Sequence, residues 1–248
     1  MVNYVVIIPA RFQSSRLPGK PLVDICGLPM VVRTYQQCIK ACPKDKVYVA
    51  TDDNRIRETC ASYGIQVLMT SSNCLTGTDR VAECAKQLDA DVFLNVQGDE
   101  PVFNPEDLRV LLDAIHKFPG EVLNGYCPID DEVMLRSGNV PKVVFRPDGG
   151  LLYMSRAAIP STKDLEFKQA WRQVCAYSFP RDALKEFAKV DCKTPLESLE
   201  DIEILRFLEL GWSVRMLQMS NISIAVDIPE DIHRVEKALK RLESVSFP

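Results

Sequence analysis

Three cations fall within ten residues in the segment Pro9-Ala-Arg-Phe-Gln-Ser-Ser-Arg-Leu-Pro-Gly-Lys-Pro21, namely Arg11, Arg16 and Lys20. Ser14 and Ser15 add hydroxyl groups, and Gly19 gives the backbone freedom to turn. Fixed cations beside exposed N–H groups suit a triphosphate, whose charge water would otherwise stabilise. The spacing is not G-x-x-x-x-G-K-[ST], so the ATPase or GTPase chemistry of a P-loop is disfavoured. Two aspartates offer the complementary chemistry. Asp99 ends an apolar run in Val96-Gln-Gly-Asp-Glu-Pro101, where Gly98 allows a close backbone approach. Asp227 follows a second apolar run, 222–226, and precedes Pro229, which puts it at an expected strand end too. Two carboxylates gathered from distant sequence suit Mg2+, which keeps waters and binds substrate phosphates. Either aspartate could instead form a turn or cap a helix. His116 and His233 lie in amphipathic stretches away from these segments, so a Ser-His-Asp triad is not expected. Catalysis then rests on a metal and on positioning.

The elements that must hold these groups alternate. Continuous apolar or β-rich runs at 4–8, 46–50, 66–69 and 91–96 read as strands. Helical spacing fills 29–41, 54–63 and 79–88 between them, with Ile56, Cys60 and Tyr63 on one face. That alternation predicts an open α/β sheet, whose ligands sit at the carboxyl ends of the strands. The basic loop leaves the first strand at such an end. After residue 101 the rhythm changes to a helix at 105–117 and strand-like pieces at 122–126, 142–145, 151–154 and 174–179. Helices are predicted at 182–189, 196–210 and 229–242. One domain with a mixed sheet extension is expected over 1–248.

Composition sets limits. The 248 residues are 46% hydrophobic and 26% charged with a net charge of −4, as in an ordinary soluble globular protein. A mild acidic excess offers no general attraction to nucleic acid or an anionic membrane. No apolar stretch approaches the roughly 18 residues of a membrane span, and the short run at 4–8 lacks a secretory cleavage pattern. The nine cysteines are odd in number, scattered and without a C-x-x-C pair. Reduced thiols in a cytoplasmic protein are expected, most of them serving as small core hydrophobes.

The loop at 9–21 resembles the amino-terminal signature of the 3-deoxy-manno-octulosonate (Kdo) cytidylyltransferases, or CMP-Kdo synthetases. Further segments follow in family order: Ala50-Thr-Asp-Asp53, Thr76-Gly-Thr-Asp-Arg80, Asn95-Val-Gln-Gly-Asp-Glu-Pro101, Lys142-Val-Val144, Tyr153-Met-Ser-Arg-Ala-Ala-Ile-Pro160, Pro195-Leu-Glu-Ser-Leu-Glu200 and Val226-Asp-Ile-Pro-Glu-Asp231. The resemblance implies a three-layer α/β fold with an open, mixed, mostly parallel sheet, similar to the nucleotide-diphospho-sugar transferases. It implies nucleotide binding in about 1–104 and acceptor binding and dimerisation in about 105–248. Asp99 and Asp227 become the Mg2+ ligands, and Lys20 and Arg16 join them as catalytic residues. Pro9, Ala10, Arg11, Ser14, Thr78, Arg80 and Gln97 become nucleotide contacts, although Thr78 could equally cap the helix that follows it. CTP and an acidic sugar are the implied partners, in a homodimer.

Lys142, Arg156, Arg172 and Glu200 are the acceptor-side candidates, since a guanidinium can grip a carboxylate at two points. Glu197, Glu200 and Glu203 spread around one expected helix, so some of them should face water. Here the chain also departs from the family. Aligned on Tyr177, itself an acceptor-side candidate, the family's His-x-Gly-x-Tyr reads Gln173-Val-Cys-Ala-Tyr177. Ile204 replaces a polar residue, and Gly149-Gly150 stands where an aromatic side chain is common. Each loss could exceed ~1 kcal/mol of recognition if the partner group is buried. The expected activity is therefore Mg2+-dependent transfer of CMP from CTP to an acidic sugar such as Kdo. The alternatives are another acid acceptor (amino-Kdo, another ulosonate or a phosphonate), a metal-dependent glycosyltransferase, and a nucleotide-binding protein without turnover.

Overall fold

The computed structural model describes residues 2–14 and 16–245, with side chains to residue 241. Ser15 lies outside the described residues. β1 (Tyr4–Pro9) runs into the basic loop, then into a small hairpin of β2 (Asp24–Ile25) and β3 (Leu28–Pro29) ahead of α1 (Met30–Cys38). Next come β4 (Val47–Thr51), α2 (Asn54–Ser62), β5 (Gln66–Met69), α3 (Gly77–Gln87), β6 (Val92–Val96) and α4 (Pro105–Lys117). The second half holds β7 (Val122–Pro128), α5 (Glu132–Arg136), β8 (Lys142–Phe145), β9 (Leu151–Ser155), β10 (Trp171–Pro180) and α6 (Arg181–Phe187). It closes with α7 (Pro195–Glu200), α8 (Ile204–Glu209), β11 (Val214–Gln218) and α9 (Pro229–Val245).

The main sheet has the order β11-β7-β10-β6-β1-β4-β5. β1 pairs in parallel with β4 and β6, β4 with β5, and β11 with β7; β10 runs antiparallel between β6 and β7. β8 and β9 extend the sheet from β10 as an antiparallel pair. Because side chains alternate along a strand, β1 sends Val6 and Ile8 into one core and Val5 and Ile7 into the other. α1, α2 and α4 cover the first face; α3, α6 and α8 cover the second. This is the expected three-layer α/β arrangement with a mostly parallel sheet. A third cluster joins Ile25 and Met30 to Val226 and to Val235 and Leu239 of α9, and so ties the end of the chain beside the basic loop.

Three expectations are corrected. The helix read over 196–210 is two helices, broken where Asp201 adopts φ 52°. The Arg156 guanidinium binds the carbonyls of Glu200 and Asp201 there, so carbonyls that helix bonding would use are taken from outside. β11 went unread in the sequence; its Arg215 looks polar but is paired with Glu121 at 2.8 Å beside the edge of β7. The run 222–226 is not a strand, so Asp227 sits at the entry to α9 instead of at a strand end. The cysteines are free, and Cys38, Cys42, Cys60, Cys84 and Cys127 are buried as small core residues. Both histidines are exposed on helices, as their spacing implied. No helix is long and apolar enough to cross a membrane among the described residues.

Candidate active site

A cleft of about 460 Å³ opens at the carboxyl ends of β1 and β6. Its first wall is the basic loop. The Gly19 N–H reaches back to the Phe12 carbonyl at 3.1 Å, and Gly19 takes φ 68° to begin a tight turn through Lys20–Leu22. The Arg55 guanidinium stacks 3.3 Å from the centre of the Phe12 ring, while Asp53 caps α2 and pairs with Arg55. The Ser14 hydroxyl accepts the Leu17 N–H at 3.3 Å. These bonds fold the loop so that Arg11, Ser14, Arg16 and Lys20 all line the cleft.

The opposite edge of the loop meets the two aspartates. The Lys20 ammonium donates to Asp99 Oδ2 at 2.6 Å and to Asp227 Oδ1 at 3.0 Å, and the Arg16 guanidinium donates to the same Asp227 oxygen at 3.0 Å. Carboxylates 128 positions apart in the chain thus share one cation. Burial alone would lower the Lys20 pKa, but the two carboxylates outweigh it and hold the ammonium above its usual value. Asp99 is brought here by a close approach of backbones. A Cβ on Gly98 would stand 2.6 Å from the Pro9 carbonyl oxygen, which leaves room for glycine alone.

The third wall is the start of α3. Thr76, not Thr78, is the cap: its hydroxyl accepts the Asp79 N–H at 3.1 Å, and Asp79 Oδ2 accepts the Thr76 N–H at 2.8 Å. The next two N–H groups, of Gly77 and Thr78, donate to the Glu203 carboxylate at 3.2 and 2.8 Å. Burial raises the Glu203 pKa although these N–H groups pull it down. This helix N-terminus already holds an anion, and Thr78 is fully buried away from the cleft. Arg80 does reach the cleft wall, held by Asp52 at 3.6 Å and by the Thr70 hydroxyl. Gln97 lines the cleft with its amide against Gly77, and Pro9 and Ala10 form the floor.

The acceptor candidates lie elsewhere. Lys142 is completely buried, donating to the carbonyls of Ser137 at 2.8 Å and of Arg156. Arg156 spends its guanidinium on the carbonyls of Gly138, Glu200 and Asp201. Glu200 accepts the Ser155 hydroxyl at 2.6 Å and the Arg156 N–H at 2.8 Å, which together with further hydrogen bonds outweigh burial and hold its carboxyl below the usual range. Gln173 donates to Asn124 at 2.9 Å, and Asn124 in turn donates to the Val174 and Ala176 carbonyls where the pairing of β10 with β7 shifts register. Tyr177 is packed in the core and stacked on Phe179. These five are engaged within the fold, by carbonyls for Lys142 and Arg156, by N–H and hydroxyl donors for Glu200, by an amide for Gln173 and by packing for Tyr177, while the Arg172 guanidinium reaches the Gln173 carbonyl at 3.5 Å. Nor do the three glutamates, expected to spread around one helix with some facing water, point away from the fold. Glu197 is fully buried against Arg206, at 2.7 Å, and Glu200 and Glu203 are engaged as described. Ile204 faces the core, and Gly149 occupies a turn at φ 88° beside Arg215, so neither departure from the family pattern touches the cleft.

Lys193, Asp201 and Glu203 line the cleft without having been singled out as site residues. Asp201 and Glu203 lie at the break between α7 and α8, which no sequence spacing announced. Glu100, also missed, lies behind Asp99. Burial, together with the Asp99 charge, pushes its carboxyl up to about 7 despite the Ser223 hydroxyl it accepts and the cations Arg172 and Lys20 nearby. Among the described residues, no group of three or more His, Cys, Asp or Glu side chains is placed to hold a metal. Two aspartate oxygens around one cation remain, which fits a divalent ion that takes its other ligands from phosphate and water.

The profile of the cytidylyltransferase family matches residues 5–243. The 3-deoxy-manno-octulosonate cytidylyltransferase of Syntrophotalea carbinolica is 37% identical over 251 residues, covering 97% of this chain and 100% of that protein. The 8-amino-3,8-dideoxy-manno-octulosonate cytidylyltransferase of Shewanella amazonensis is also 37% identical, over 245 residues, covering 96% of this chain and 99% of its own length. A solved structure of CMP:2-keto-3-deoxy-manno-octonic acid synthetase complexed with CTP superposes with a TM-score of 0.90 at 31% identity, spanning 97% of this chain and 99% of that one. Matched along nearly its whole length by the family profile and by both kinds of relative, the chain belongs to the cytidylyltransferase family and is a nucleotidyltransferase.

Proposed function

We propose that this enzyme couples CTP to a 3-deoxy-2-ulosonate of the Kdo type, releasing pyrophosphate and a CMP-sugar. The observation that carries the reading is the convergence of Asp99 and Asp227 on a single ammonium beside the basic loop. Arg11, Arg16 and Lys20 would meet the β- and γ-phosphates, and Gln97 the ribose or base. The anomeric hydroxyl oxygen of the acid forms a bond to the α-phosphorus as its proton passes to solvent, the bond from that phosphorus to the bridging oxygen breaks, and pyrophosphate leaves with the charge that the three cations stabilise. Asp99 and Asp227 are the residues that would hold Mg2+, which supplies Lewis-acid polarisation of the phosphoryl group and a more nucleophilic hydroxyl. Nucleotide binding is assigned to about 1–104 and acceptor binding to about 105–248, in a cytoplasmic homodimer.

The acceptor has two forms to distinguish, since relatives named for Kdo and for its 8-amino analogue are equally similar to this chain. Pyrophosphate release with CTP, Mg2+ and each acid in turn is expected to be fast with one of the pair. Asp99→Asn should remove most turnover. Near-full activity of that variant would refute the metal assignment, and absence of turnover with every acid would favour a nucleotide-binding role alone.

A further inference from the structure

Between β11 and α9 the chain runs from Met219 to Ile228 without regular secondary structure. It must nevertheless deliver Asp227 to the ammonium that Asp99 also holds. Its fastenings include the Asn221 amide donating to Asp130 at 3.3 Å and, at its end, the Asp227 and Ile228 N–H groups donating to Asp231 at 3.0 and 3.2 Å. The Met219 N–H donates to the Tyr126 carbonyl at 2.8 Å. Ser220 gives its N–H and hydroxyl to Asp107 at 2.9 and 2.6 Å. The Ser223 hydroxyl donates to Glu100, and the Val226 N–H donates to the Asp99 carbonyl at 2.9 Å. The last two tie the strap, in antiparallel sense, to consecutive residues of the loop that carries Asp99. A carboxyl with 7% exposure is a costly group to place there, and an apolar side chain would fill the space at lower cost. What the carboxyl adds is the hydroxyl it holds.

We propose that Glu100 is a positioning residue: through Ser223 it fixes the strap and thereby sets the separation of Asp227 from Asp99. Glu100 lies behind Asp99, off the cleft wall, so it acts through the strap and not on the nucleotide or the acceptor. Val226 completes the hold by burying itself with Ile25, Met30 and α9. Ser220 and Asp107 fasten the strap seven positions upstream of Asp227, too far along an irregular chain to fix one carboxylate. The inference rests on the reading of Asp99 and Asp227 as the metal pair.

The test measures Mn2+ binding to nucleotide-free protein by water-proton relaxation, together with the Mg2+ concentration for half-maximal pyrophosphate release at saturating CTP. Ser223→Ala should weaken both by about fivefold, the scale of one net hydrogen bond of about 1 kcal/mol, while the KM for CTP at saturating Mg2+ moves less than about twofold. Ser223→Thr, which keeps the hydroxyl, should restore wild-type metal dependence, and Ser220→Ala should leave it within about twofold of wild type. Asp227→Asn separates the two levels of the argument. If it leaves Mn2+ binding unchanged, the metal reading itself fails. If it weakens binding and Ser223→Ala does not, the positioning role of Glu100 is overturned, as it is if Ser223→Ala lowers only thermal stability or if Ser220→Ala matches its effect on metal.

Discussion

Replacing Lys20 by Met removes the ammonium but keeps most of the side chain's bulk, and it should move two measurements in opposite directions. In the structure this ammonium sits 2.6 Å from Asp99 and 3.0 Å from Asp227, with a side-chain exposure of 13%. A unit-charge pair at such a distance attracts by about 5 kcal/mol at an effective dielectric constant near 20. After the cost of leaving water, each such hydrogen bond is worth about 1.5–3 kcal/mol net. A dication entering the nucleotide-free site must displace the ammonium from both carboxylates. Without Lys20 that competition vanishes, and only the exposed Arg16 still pairs with Asp227. Metal binding to the free protein should therefore tighten by at least one such bond, about tenfold.

The same substitution takes away a cation proposed to meet the triphosphate. Turnover per CTP encounter, kcat/KM, should fall by about one to two decades, equivalent to losing one charge-assisted contact in the transition state. Mn2+ relaxation on nucleotide-free protein reads the first quantity, and pyrophosphate-release kinetics with varied CTP read the second. A Lys20→Met variant that binds Mn2+ no more tightly than wild type would refute the competition, because the ammonium would then not occupy the place the metal needs. Unchanged CTP kinetics would refute the phosphate role of the basic loop.

Gly98→Ala should lower turnover sharply and cost about 1–3 kcal/mol of stability, since its Cβ would press on the Pro9 backbone oxygen at 2.6 Å; urea unfolding and steady-state kinetics check it, and a wild-type result would show that the two loops can part freely. Glu100 gives a dependence on pH in protein stripped of metal with a chelator. Its carboxyl is raised from 4.5 to about 7, so the folded chain keeps a proton that the unfolded chain releases in that window, and stability should fall by about 3 kcal/mol as pH rises through it, relative to Glu100→Gln. Equal slopes for the two proteins in urea unfolding between pH 5 and 7.5 would contradict the raised carboxyl.

Local rules made the first half of the fold legible. Val5 to Ile8 are apolar on both faces of a strand, Pro105 and Asn104 mark a helix start, and Asp53 sits where a cap belongs. The second half depends on partners that no short window contains. Leu196 to Leu210 carry helical spacing throughout, yet Arg156 draws off two carbonyls in the middle and Asp201 turns left-handed. Ile222 to Val226 have strand composition, yet they are fastened one residue at a time to Asp99 and Glu100 and never join the sheet. Asp227 was singled out for its chemistry but misplaced in the fold, because its position comes from those fastenings.

Charge in the sequence led to side chains that line the cleft in the basic loop and to side chains engaged by the fold in the acceptor half, for one physical reason. Arg11, Arg16 and Lys20 are close in the chain, so the loop they share cannot supply enough acceptors of its own and must present them to the cleft or to distant carboxylates. Lys142, Arg156 and Glu200 come from three segments linked in a chain: the Lys142 ammonium donates to the Arg156 carbonyl, the Arg156 guanidinium to the Glu200 carbonyl, and the Arg156 N–H to the Glu200 carboxylate. A buried charge is tolerable only with such partners, and these partners hold the three groups within the fold. Charged groups that the fold leaves facing the cleft are further candidates for meeting the acceptor. Lys193 and Asp201 qualify: both stand on its wall, paired with each other, where an incoming carboxylate could take the ammonium from Asp201.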